Sequence, residues 1–208
     1  MSLDLWLAFA AASIALLLIP GPTVLLVLSY ALSQGRRVAM AMALGVATGD
    51  LIAMSTSLLG LGALIATSAT VFAVVKWAGA AYLLWLGLRM LRSRPANAPL
   101  PGAVAQVPAG QVFRHAALVT ALNPKSIAFF IAFVPQFLRP ETALAPQFAV
   151  LIATFVSLAA LNALAYALLA GRLRDRINRP GVGLWLNRAG GGALIAMAAM
   201  TASLRRAM

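Results

Sequence analysis

Six apolar stretches, each long enough to cross a lipid bilayer, follow one another along this sequence, and they limit its fold more than any other feature. A transmembrane helix needs roughly 20 apolar residues to span a hydrocarbon core of about 30 Å. The stretches fall at residues 3–32, 38–63, 70–91, 112–138, 146–170 and 183–204, with polar or arginine-bearing connectors between them. Of the 208 residues, 62% are hydrophobic and only 10% charged, against about 25% charged in a soluble domain. An ordinary soluble enzyme is thereby excluded, and an all-α integral membrane protein surrounded by lipid is expected. Only four carboxylates are present, at Asp4, Asp50, Glu141 and Asp175, and cysteine is absent. Thiolate metal sites, cysteine nucleophiles and dense acidic ligand sets are therefore out of reach, and neither a metal nor a cofactor is expected.

The net charge of +12 would suggest nucleic acid in a soluble chain. Here the arginines sit between apolar runs instead of forming one face, so no nucleic-acid partner is expected and the charge reads as topology. Positive charge is retained on the cytoplasmic side. Arg36 and Arg37 lie in the first connector, Arg89, Arg92, Arg94 and Arg114 around the third, and Arg172, Arg174, Arg176 and Arg179 in the fifth. The second connector, around Ala66 to Thr70, is uncharged, and the fourth sets Arg139 against Glu141. Both termini are expected outside the cytoplasm, although Arg205 and Arg206 run against this. Met1-Ser2-Leu3-Asp4 has no positive n-region, so a signal peptide is not expected.

Pro95, Pro99, Pro101 and Pro108 stand among alanines and glycines in the segment 93–111, which predicts a flexible cytoplasmic loop. It divides one transporter-like domain, 1–208, into halves at 1–92 and 112–208, each with three spans. An odd number of spans per half requires the halves, as repeats, to insert with opposite topology, a common plan in secondary transporters.

The first span of each half is interrupted, by Pro20-Gly21-Pro22 in one and by Asn123-Pro124-Lys125 in the other. Proline removes a backbone donor and clashes with the preceding turn. The groups it frees must be buried in protein or line a wet cavity. A packing kink explains either motif alone; two at corresponding places point to a substrate site. Lys125 lies in an otherwise apolar stretch, where an ammonium costs about 2.5–3.5 kcal/mol on insertion scales. It could hold a substrate carboxylate, pair with a protein carboxylate, or snorkel to an interface.

Asp50 is the one carboxylate deep in a span. It could be a neutral acid, an ion-pair partner, or a site for a coupling ion or substrate amine. Lys76, roughly 6 Å to the outer side of the midplane at 1.5 Å per residue, is within reach of it as a buried salt bridge. Gly45 and Gly49 form a GxxxG whose first reading is close helix packing. Asn162 occupies in the second half roughly the place of Asp50 in the first, offering a polar contact or an interhelical hydrogen bond. Trp6, Trp77, Trp85 and Trp185 read as interfacial anchors, and His115 stands without the partners that metal binding or nucleophilic catalysis requires. Gly190-Gly191-Gly192 and Ala196 permit helix contacts within one protomer or between two, which leaves a homodimer open.

These residues resemble the LysE/RhtB family of bacterial inner-membrane amino-acid exporters over nearly the whole chain. Pro20-Gly21-Pro22, then Leu25 to Ser29 and Gly35-Arg36-Arg37, is similar to the family's opening motif. Ala43 to Asp50 resembles its second-helix signature and Lys76 to Gly87 its third helix. Leu122-Asn123-Pro124-Lys125 with Phe129-Phe130 and Pro135-Gln136-Phe137 resembles the fourth. The resemblance implies export of an amino acid or close derivative, driven by proton antiport, with Pro20, Gly21, Pro22, Asp50, Asn123, Pro124 and Lys125 at the translocation site. Lys76, Asn162, Gly45 and Gly49 are supporting candidates. The competing reading is an ion or metal exporter of related architecture, although hard cations take several oxygen ligands and only Asp50 lies deep in a span.

Overall fold

The computed structural model describes residues 1–92, 107–139, 141–177 and 180–203, and every regular element among them is helical. α1 spans Leu3–Leu18, α2 Pro22–Gln34, α3 Ala39–Thr67 and α4 Ala69–Arg92. α5 spans Ala109–Ala121 and the short α6 Pro124–Ala128; a π-helical turn at Phe129–Phe133 and a 3₁₀ turn at Val134–Phe137 prolong α6. α7 covers Leu144–Ile177 and α8 Pro180–Ser203. Four stretches are long and apolar enough to cross a membrane, Pro22–Ala63, Thr70–Arg92, Ala109–Phe137 and Leu144–Ala170, and Leu3–Leu18 is a shorter apolar helix. The chain is a helical, multi-pass membrane protein.

The interruptions lie where the prolines put them. A residue before proline is pushed out of the α region by the ring. Ile19, ahead of Pro20, is extended (φ −69°, ψ 120°), as is Asn123 ahead of Pro124 (φ −69°, ψ 108°). Pro22 and Pro124 then open α2 and α6 at a first-turn position, where the missing N–H costs nothing. The expected first span, 3–32, is thus two helices, and α2 turns into α3 through a 3₁₀ turn at Gly35–Val38, with Gly35 at positive φ (67°). The π turn precedes Pro135, which has no N–H to continue the ladder.

Two boundaries correct the sequence reading. α5 begins at Ala109, inside the segment expected to be a loop, because Pro108 accepts the first-turn N–H bonds of Gln111 and Val112 at its carbonyl. The rest of that segment, 93–106, lies outside the described residues, as do Arg94, Arg179, Arg205 and Arg206. α7 continues to Ile177, so Arg172, Arg174 and Arg176, expected between two spans, extend the helix beyond the apolar stretch that ends at Ala170; arginine is a good helix former.

Small residues set the closest seams. α3 lies against α5 at Gly45 and Gly49, and α4 lies against α8 at Gly87 and Gly191. A β-carbon on Gly191 would come 2.7 Å from the Gly87 carbonyl oxygen. In lipid there is no hydrophobic drive between helices, so backbone approach of this kind holds them together. Phenylalanines fill the middle: Phe130 meets Phe155 edge-on at 4.8 Å and Phe9 meets Phe137 at 5.4 Å, joining α1, α7 and the turns after α6. Leu44, Leu59, Leu118, Leu161 and Trp185 are exposed on the outside, the apolar coat of a bundle in lipid. Ser13, Ser29, Thr48, Thr154 and Thr201 turn their hydroxyls onto the carbonyl four residues back, which satisfies them without water.

Candidate functional site

The last carbonyls of a helix have no partner within it, and the break after α1 frees those of Leu16, Leu17, Leu18 and Ile19, of which Leu16 and Ile19 are buried and Leu18 is exposed. Side chains from the second half of the chain meet them in turn. The Lys125 ammonium donates to Leu16 O at 3.0 Å and Ile19 O at 2.9 Å. The Asn162 amide donates to Leu17 O at 3.2 Å, and the Tyr166 hydroxyl to Leu18 O at 3.4 Å. A cation at a helix C-terminus also meets the negative end of the helix dipole.

The second break reaches back to the first. The Asn123 side-chain oxygen accepts the Lys125 backbone N–H at 3.1 Å, capping α6, while its amide donates to the Thr23 hydroxyl at 3.2 Å. Thr23 in turn shares a hydrogen bond with Thr120 at 3.3 Å. The two interrupted helices are thereby joined at their interruptions, in both directions. Lys125 is 8% exposed and Asn123 3%.

Asp50 of α3 is 2% exposed, and its Oδ1 makes no hydrogen bond. Beside Lys125 and Asn123 lies a cavity of about 30 Å³, whose lining includes Gly21, Thr23, Asn123, Lys125, Asn162 and Tyr166. That is room for a water molecule and too little for an amino acid. Among the described residues no three His, Cys, Asp or Glu side chains gather.

The sequence model of the LysE type translocator family matches residues 14–204. The chain belongs to this family. The homoserine/homoserine lactone efflux protein of Salmonella typhimurium is 35% identical over 208 residues, covering 100% of both chains. An uncharacterized membrane protein of Vibrio cholerae is 35% identical over 190 residues, 90% of this chain and 91% of the relative. The leucine efflux protein of Salmonella choleraesuis is 33% identical over 136 residues, 65% of this chain and 64% of the relative. No solved structure matches.

In this LysE-type translocator, the residues singled out in the sequence divide by what they touch. Gly21, Asn123, Lys125 and Asn162 line the cavity. Pro20, Pro22 and Pro124 shape the backbone around it and are not among its lining. Gly45 and Gly49 face α5: β-carbons there would lie 2.5 Å from the carbonyl oxygens of Phe113 and Ala117 respectively. They set the distance between α3 and α5, and with it the place of Asp50. Neither Lys76 nor Asp50 is among the residues that line the cavity. His115 shares a hydrogen bond with the Tyr30 hydroxyl, at 3.0 Å from Nδ1.

Thr23, Thr120 and Tyr166 were not anticipated. Tyr166 follows Asn162 by four residues, so the two share a face of α7, and that polar pair in an apolar helix was a readable signal. Thr23 follows the proline motif directly. Nothing in the sequence marked Thr120, which only the crossing of the two breaks brings in.

Proposed function

We propose that this translocator exports an amino acid or a close derivative from the cytoplasm, by proton antiport and alternating access around the junction of the two breaks. One observation carries the reading: Lys125, a buried ammonium after one interruption, sits on the carbonyls exposed by the other. Relatives named as efflux proteins for homoserine, homoserine lactone and leucine support the substrate class. In this reading the two halves are inverted repeats of three spans, in the bacterial inner membrane with both termini outside. The interruptions lead each half, which supports that plan, and one half rocks against the other during transport.

The roles follow from the chemistry. Helix ends offer carbonyls to the positive part of a zwitterion and amides to the negative part. Lys125 attracts the carboxylate when it leaves α1. Asp50, buried with an oxygen free of hydrogen bonds, exchanges the coupling proton. Homoserine and its lactone share a primary ammonium, but only homoserine has a free carboxylate, so the ammonium is the feature a common site must read. Everted membrane vesicles energised with an inward-acid proton gradient test the reading. Labelled homoserine should accumulate inside them and leak out when a protonophore is added. An accumulation indifferent to the protonophore would refute proton coupling, and none for any amino acid would refute export.

A further inference from the structure

We propose that the carbonyl pair of Leu16 and Ile19 is the subsite for the substrate's primary ammonium, and that Lys125 is a tethered surrogate holding this place until substrate displaces it. This rests on the export reading above and names the subsite within it.

Capping alone does not account for Lys125. One residue along the same helix end, Asn162 satisfies Leu17 with a neutral amide, and Tyr166 satisfies Leu18 with a hydroxyl. Leu16 O also accepts the Ile19 backbone N–H at 3.2 Å, so it has a partner without any lysine. A neutral amide would serve as well, yet here the chain buries a full positive charge, which is costly in a membrane. The carbonyls are thus fitted to an ammonium in particular. Gly21 presents no side chain beside the ammonium, and a β-carbon there would lie 3.4 Å from Lys125 Nζ. The small cavity adjoins the ammonium on that side. A substrate ammonium entering as the lysine leaves keeps the charge on α1 unchanged. The lysine then becomes free to meet a substrate carboxylate. Exchange of one ammonium for another explains how a cavity too small for an amino acid still marks its site.

The test uses the full-length protein in detergent and Lys125→Met, which keeps length and apolarity and removes the ammonium. Methylammonium should raise the melting temperature of Lys125→Met by several degrees and leave wild type unmoved. Tetramethylammonium, a cation with no N–H, should move neither protein. An equal response of wild type and variant to methylammonium, or none in a folded variant, would overturn the proposal. Wild-type counterflow of homoserine supplies a second arm that holds even where Lys125→Met does not fold. Homoserine lactone should compete, and N-acetylhomoserine and 4-hydroxybutyrate should compete at least tenfold more weakly. Equal competition by the analogues without an ammonium would also overturn it. Failure of either arm with wild-type homoserine exchange intact refutes the surrogate alone; absence of any amino-acid exchange refutes the export reading.

Discussion

Replacing Gly49 by alanine tests whether the α3–α5 seam positions Asp50. The new β-carbon would lie 2.5 Å from Ala117 O, 2.7 Å from Thr120 Cβ and 2.9 Å from Ala121 N. Carbon–oxygen contacts between packed backbones settle at about 3.3–3.6 Å, so α3 and α5 must part by about 1 Å. Two of the three atoms are backbone and cannot rotate away. Overpacking of this kind costs typically about 1–3 kcal/mol, offset by up to about 1 kcal/mol from alanine's better helix propensity. Gly60→Ala is the internal control on the same helix. Nothing lies within 4 Å of its β-carbon position, so it should show only the propensity gain. Equilibrium unfolding in mixed micelles should therefore rank Gly49→Ala below wild type and Gly60→Ala at or above it, separated by roughly 1–3 kcal/mol. Counterflow should fall in the first variant and not in the second, because Asp50 and Thr120 move with the seam. Equal stability of the two variants would refute the packing argument.

Asp50→Asn keeps the shape and removes the exchangeable proton: substrate counterflow should persist while gradient-driven accumulation in everted vesicles is lost, and retained accumulation would remove Asp50 from coupling. Asn162→Ala leaves Leu17 O without its donor; interhelical hydrogen bonds in membranes average about 0.6 kcal/mol and reach about 1.7, so a small fall in unfolding free energy should be measured, and a gain would contradict the assignment. Since the chain has no cysteine, single introduced thiols report topology without background. Ser2→Cys should react with an impermeant maleimide on intact spheroplasts and Arg36→Cys only after permeabilisation; the reverse pattern inverts the orientation.

Much of the fold was legible because its rules are local. Apolar length marked most of the helices, and the two proline motifs marked both interruptions, which the structure sets at Ile19 and Asn123. Apolar length located the crossing that ends at Ala170, whereas α7 itself runs on through the arginines to Ile177, where its backbone bonds end. The site was legible only in part. Asn123, Lys125 and Gly21 stood out as sequence anomalies, but their relation is long-range: Lys125 reaches carbonyls 106 and 109 residues away, and backbone carbonyls carry no sequence signal. Gly45 and Gly49 were read correctly as a packing pattern, though the partner helix could not be named from spacing.

The most direct test of the central claim is counterflow in proteoliposomes loaded with one unlabelled amino acid at a time, comparing wild type with Lys125→Ala in protein shown to be folded. The account predicts exchange of homoserine or another primary amino acid by wild type and its loss in the variant. Exchange by Lys125→Ala at the wild-type rate would contradict it.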